Sequence, residues 1–204
     1  VCGRYNLSGR IEFEELIELL EEIRDRTWEL PVKTYGEVFP GDCVPVLANN
    51  RKMEPSGFAM HWGYTLSGKS DLLINARSET AAEKPLFASG MEGKRCLIPA
   101  SDYFEWEKRG KEKIRYSIAP TRPGGFYLAG IYRMEQGQPR FVILTREPAE
   151  NIAFIHNRMP VILPVEAKGD WLNLNYKANE VLDSATTSVT YRKVAGDEQL
   201  RLDF

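Results

Sequence analysis

The sequence predicts an α+β protein, one domain over residues 1–204, with a curved, barrel-like β core and peripheral helices. Three observations carry that expectation. Short apolar or alternating runs follow one another with no regular helix between each pair, which disfavours a doubly wound parallel sheet and favours a strongly curved one. Turn-forming tracts such as Arg122-Pro123-Gly124-Gly125 and Gln136-Gly137-Gln138-Pro139 separate the runs. A single long amphipathic helix precedes most of them. A chain of 204 residues fits one domain and buries enough core to need no disulfide or metal staple.

The helix is expected over residues 11–25. Ser8 is the candidate N-cap, and Phe13, Leu16, Ile17, Leu20 and Ile23 would fall on one face at i, i+3, i+4, i+7 spacing. The opposite face carries Glu12, Glu14, Glu15, Glu18, Glu21, Glu22 and Asp25 against Arg24 alone. Strands follow at 43–47, 57–62, 72–76, 95–99, 114–119, 126–132 and 140–145, each bounded by Gly, Pro or polar turns. Shorter helices are expected at 79–87, 149–155 and 165–174, with a strand at 161–163 after the second.

The net charge of −2 excludes a protein whose whole surface is a cationic glove for nucleic acid. It does not exclude a local basic cleft. Without the acidic helix the remainder stands at +4. No apolar run approaches the roughly 20 residues of a membrane span, and the start lacks a signal-peptide pattern, so a soluble cytoplasmic protein is expected. Cys2, Cys43 and Cys96 show no metal-type spacing, and His61 and His156 are the only histidines, so no metal site is expected. Cys43 and Cys96 sit within apolar runs and read as buried strand residues.

Cys2 is different. A cysteine whose own amine is free carries a 1,2-aminothiol, with reference pKa values of about 7.7–8.0 for the amine and about 8.5 for the thiol. Such an amine condenses with an aldehyde to an imine, and the adjacent thiol closes a five-membered thiazolidine. That chemistry requires removal of Val1, which we read as the translation of an alternative start codon. The plainer reading of Cys2 is a frayed end with an incidental thiol.

Further segments bear on the choice. In Leu73-Ile74-Asn75-Ala76-Arg77-Ser78-Glu79-Thr80, strand alternation puts Asn75 and Arg77 on one side, a pairing suited to phosphate or sugar and equally to capping and salt bridging. In Tyr103-Phe104-Glu105-Trp106, Glu105 is either a half-buried proton-transfer group or the outward residue of an alternating strand. His156, in Phe154-Ile155-His156-Asn157-Arg158-Met159-Pro160, is a proton shuttle or a structural histidine at a helix C-terminus. His61, between Met60 and Trp62, reads as packing or capping. Phe39-Pro40-Gly41, Met60-His61-Trp62-Gly63-Tyr64 and Arg158 offer aromatic and apolar surface beside cations, suited to unstacked bases and phosphates or to ordinary core packing.

In this order, Cys2-Gly3-Arg4-Tyr5, Pro40-Gly41, Trp62-Gly63, Ile74-Asn75-Ala76-Arg77-Ser78-Glu79-Thr80, Arg95-Cys96-Leu97-Ile98-Pro99-Ala100, Tyr103-Phe104-Glu105-Trp106, Leu144-Thr145 and His156-Asn157-Arg158-Met159-Pro160 resemble the SOS response-associated peptidase family of abasic-site processing proteins. The resemblance implies covalent capture of the ring-opened abasic deoxyribose in single-stranded DNA by Cys2, with lyase and autoproteolytic activity through the same centre. It implies that Asn75 positions the opened sugar, Glu105 promotes ring opening and proton transfer, and His156 forms or reverses the imine. It places Arg4, Arg77 and Arg158 on phosphates, Pro40 and Trp62 near the unstacked bases, and Thr145 on the DNA. No cofactor and no obligate protein partner are implied. Val1 stands where the family carries methionine, Asn157 where it often carries aspartate, and the tail from Ser188 lacks the usual closing motif. Two other readings stand beside this one: a cysteine peptidase acting on other proteins, and a non-catalytic single-stranded DNA-binding protein.

Overall fold

The fold is described from a computed structural model and covers residues 2–7, 21, 23, 31–68, 70–122 and 125–194. The strands are β1 (Tyr5–Leu7), β2 (Gly36–Val38), β3 (Cys43–Asn49), β4 (Pro55–Trp62), β5 (Asn75–Arg77), β6 (Arg95–Ala100) and β7 (Asp102–Arg109). They continue as β8 (Glu112–Pro120), β9 (Phe126–Glu135), β10 (Gln138–Arg146), β11 (Met159–Pro160), β12 (Ile162–Leu163) and β13 (Val189–Lys193). The helices are α1 (Ser78–Ala81), α2 (Pro85–Gly93), α3 (Lys168–Leu172) and α4 (Ala178–Leu182). The helix expected over 11–25 lies outside the described residues apart from Glu21 and Ile23. Both are helical, and Ile23 is buried against Cys43 and Ala59.

Strands β3, β4, β10, β9 and β6 pair in a ring, so the curved sheet closes into a five-stranded barrel. Only the β4–β10 seam of that ring is parallel. Period-2 alternation divides each wall in two. Phe141 and Ile143 of β10 and Cys96 and Ile98 of β6 enter one core, whereas Val142, Leu144 and Leu97 face outward under Trp171, Phe87 and Val181 of the helices. The second sheet is antiparallel in the order β13-β8-β7-β1-β2, and the chain passes into it from the barrel between β6 and β7. Its inner face brings Tyr5, Leu7, Tyr103 and Ile118 into the same core as Cys96 and Ile98.

Closure depends on Gly130, which faces Cys96 on β6 and Ile143 on β10. A Cβ there would lie 2.5 Å from Ile98 Cδ1 and 3.0 Å from the Val142 carbonyl oxygen. Gly130→Ala should therefore cost about 1–3 kcal/mol through overpacking, a fall in Tm of several degrees at roughly 2–4 °C per kcal/mol. A thermal melt checks it, and an unchanged Tm would mean the barrel wall yields freely.

The helix expected at 79–87 is two helices. Pro85 opens α2, and Lys84 before it is extended (ψ 123°), as the proline ring demands of its predecessor. The helix expected at 149–155 is one 3-10 turn at Glu150–Ile152, and that at 165–174 is a 3-10 turn at Val165–Ala167 running into α3. No helix among the described residues is long and apolar enough to cross a membrane.

Candidate functional site around Cys2

Cys2 is not a frayed end. Strand β1 lies inside its sheet, hydrogen-bonded to β2 on one side and β7 on the other, and so fixes the residues just before Tyr5. Cys2 is 0% exposed and joins the core that holds Tyr5, Trp62, Cys96 and Tyr103. Its φ of 25° is in the left-handed region that non-glycine residues avoid.

Two side chains converge on the Cys2 backbone. Its nitrogen donates to Glu105 Oε1 at 2.5 Å, across a sequence separation of 103. Glu105 lies on the inner face of β7 and is only 4% exposed. The Asn75 amide, on β5, donates from Nδ2 to the Cys2 carbonyl at 3.5 Å. Asn75 is held there because β5 runs parallel to β10, with Asn75 opposite Ile143. Burial, and then the Glu105 carboxylate, push the Cys2 thiol far above its ordinary value, so the thiol is protonated at neutral pH. Two neighbouring phenol hydroxyls, Tyr5 Oη and Tyr103 Oη, are buried without a hydrogen-bond partner, and Cys2 contributes to holding both phenols protonated after the larger effect of burial. Neither tyrosine was singled out by sequence.

His156 follows the 3-10 turn, between the buried Ile155 and Met159. Its Nδ1 accepts the Arg158 backbone N–H at 3.0 Å, which leaves Nε2 to carry the proton of the neutral ring. Arg158 is not an open cation. Its guanidinium forks onto Glu79, Nη1 to Oε1 at 2.8 Å and Nη2 to Oε2 at 2.7 Å, and donates to the Thr145 carbonyl at 2.6 Å. Thr145 is buried, with its hydroxyl donating to the Ala76 carbonyl. It holds β10 to β5.

Arg158 holds the Glu79 carboxyl below its ordinary range. The clamp therefore adds stability above the unfolded value of 4.5 and loses it as pH falls through the lower folded value. Because Glu79 is substantially exposed, the gain is at most about 1 kcal/mol. Glu79→Gln should lower Tm by up to about 3 °C at pH 7, and the gap should close as pH falls through the folded value. A melt series over pH would overturn this if the gap were constant.

Trp62 is buried. Its ring is 0% exposed, lies against Tyr5 (centroids 5.3 Å) and Phe141 (6.4 Å, 4° between planes), and donates to the Ile74 carbonyl. Pro40, by contrast, is exposed at the second position of a turn that Asp42 N–H closes onto the Phe39 carbonyl, with Gly41 at φ 95° as a type II turn requires. His61 Nδ1 lies 3.1 Å from the Gly41 carbonyl, the capping contact expected of it. Arg4 pairs with Glu37 and lies over Phe39 (4.4 Å) and Trp106 (5.2 Å), while Arg77 is exposed at the head of α1. Cys43 and Cys96 are buried and unbridged, as their apolar runs predict. No group of three or more His, Cys, Asp or Glu among the described residues is arranged to hold a metal ion.

The fold and site together define a class: a barrel protein that stores a near-terminal cysteine in its core, with its backbone nitrogen against a carboxylate and its carbonyl against an amide. The chain belongs to the SOS response associated peptidase (SRAP) family, whose sequence profile matches residues 1–197. It is 40% identical over 198 residues to the abasic site processing protein YoaM of Bacillus subtilis (strain 168), covering 90% of this chain and 84% of that one. It is 31% identical over 198 residues to the abasic site processing protein YedK of Escherichia coli (strain K12), covering 92% and 86%. A crystal structure of a protein from Bacteroides thetaiotaomicron superposes with a TM-score of 0.74 at 23% identity over 96% of this chain and 93% of that one.

Proposed function

We propose that this protein captures abasic sites in single-stranded DNA by a covalent bond to Cys2. The observation that carries the reading is the Cys2 nitrogen held 2.5 Å from the buried Glu105 carboxylate. Removal of the residue ahead of Cys2 turns that nitrogen into an amine already in contact with a proton acceptor. The names of the family relatives, abasic site processing proteins, support the same substrate.

The opened sugar presents an aldehyde. The amine adds to it and water leaves, giving an imine; the thiol sulfur then bonds to the imine carbon while the thiol proton passes to nitrogen, closing the thiazolidine. A thiol kept protonated needs a group to carry that proton, and the Glu105 carboxylate, 2.5 Å from the Cys2 nitrogen, supports that role. Asn75 orients the opened sugar, and His156, with its proton on Nε2, serves formation or reversal of the imine. The same imine acidifies the neighbouring C–H and permits elimination of the 3′ phosphate, the lyase branch. Trimming ahead of Cys2 by the chain itself is the autoproteolytic branch, and the left-handed φ at Cys2 supports strain there. Arg4, Arg77 and Pro40 line the strand path, with Arg158, Thr145 and Trp62 acting from beneath it. A thiol buried to 0% exposure disfavours cleavage of unrelated proteins.

The test is the intact mass of the protein after incubation with abasic single-stranded DNA. The expected species is the chain beginning at Cys2 plus the oligonucleotide less one water. A correctly trimmed chain that stays unmodified overturns the reading.

A further inference from the structure

Beside the buried site lies an aromatic cluster that the capture chemistry does not use. Phe154, Tyr116 and Tyr191 meet edge to face, with ring centroids 5.4 Å apart for Phe154–Tyr191, 5.7 Å for Tyr116–Tyr191 and 5.8 Å for Tyr116–Phe154. Three rings so arranged normally belong to a core. Here only Tyr116 is buried; Phe154 and Tyr191 are 49% and 42% exposed.

Its position is set by the sheet. Tyr116 on β8 stands directly opposite Glu105 on β7, and Lys193 on β13 stands directly opposite Tyr116. Side chains so paired lie about 4.5–5.5 Å apart at Cβ. Tyr191 and Lys193 share one face of β13. Phe154 reaches the cluster from the segment that two residues later supplies His156. The rings thus step outward from Glu105 to solvent, ending beside an exposed lysine. The nearby carboxylate, Glu107, accepts from Tyr116 Oη at 3.0 Å and is forked by Arg109, so its charge is answered locally.

We propose that Phe154 and Tyr191 are a stacking platform for the nucleobase next to the captured sugar, with Lys193 taking its phosphate. This rests on the capture reading and deepens it. Half-exposed rings suit any base, because every base has a π-face, and a flanking cation answers the backbone. The platform therefore anchors the strand without reading its sequence.

The experiment measures equilibrium affinity by fluorescence anisotropy in a Cys2→Ala background, where no thiazolidine forms. Two oligonucleotides are compared: one carries an abasic site between two thymidines, the other replaces both neighbours with base-free tetrahydrofuran units. Phe154→Leu with Tyr191→Leu should weaken binding about tenfold on the first and less than twofold on the second. Tyr191→Trp should keep or increase the preference for the first. Equal loss on both oligonucleotides, or no loss on either, overturns the platform. Should the double variant fail its melting control, Phe154→Leu is read singly on the same pair, and a preference unchanged by it overturns the platform. The intact-mass result with Cys2 present reports separately on capture, so failure of one is not failure of the other.

Discussion

A trimmed protein carrying Cys2→Ala forms no heat-stable adduct with abasic single-stranded DNA, a loss of at least about a hundredfold in yield. The alanine chain still presents an α-amine where Glu105 accepts the Cys2 nitrogen, so the imine forms. Without sulfur it cannot close a ring, and the imine hydrolyses. Borohydride added during the reaction should reduce that imine and recover a stable cross-link. Denaturing gels with and without the reductant separate the two outcomes. A heat-stable adduct from the alanine chain without reductant would place the covalent bond elsewhere.

Glu105→Gln should slow adduct formation by about 10²–10³-fold while the fold is retained, since general acid–base groups contribute on that scale. Glutamine has nearly the shape of glutamate and keeps an oxygen for the Cys2 nitrogen, but it cannot take a proton. The substitution also removes the negative charge that, after burial, raises the Cys2 thiol. Its thiol value should therefore move down, a change that by itself favours reaction. Slow adduct formation despite an easier thiol would show that proton transfer is what the carboxylate supplies. Single-turnover rates measured beside a thermal melt decide it, and a variant that reacts at the parent rate would reduce Glu105 to a structural group.

The barrel was legible where its strands are long and apolar. Residues 43–47, 95–99, 126–132 and 140–145 all lie within β3, β6, β9 and β10, because β-branched and aromatic runs between Gly and Pro turns have few other folds. Strand β7 was hidden by its charged residues: Glu105, Glu107, Lys108 and Arg109 interrupt the apolar pattern of a buried strand. Strands β1 and β2 are three residues each, too short for any periodicity. The site was named from motifs, and Asn75 and Glu105 do meet Cys2. Nothing local to the sequence announces a contact across 103 residues. The surroundings of Trp62 and Arg158 were hidden for a related reason. An aromatic in a strand reads alike whether it is covered by Phe141 or open, and the Glu79 that occupies Arg158 lies 79 residues away. The ring cluster of Phe154, Tyr116 and Tyr191 comes from three separate segments, so no window contains it.

The separation between Cys2 and Glu105 has a consequence in time. During translation Cys2 emerges long before β7 exists, and β7 provides both the carboxylate and one flank of β1. At about 5–20 residues per second, roughly 5–20 s pass before that strand has been made. Until β7 is made, Cys2 lacks both the carboxylate and the sheet contact that hold it in the folded protein. Closure of the second sheet is therefore the moment at which an indiscriminate nucleophile becomes one reserved for a substrate that can reach the barrel core.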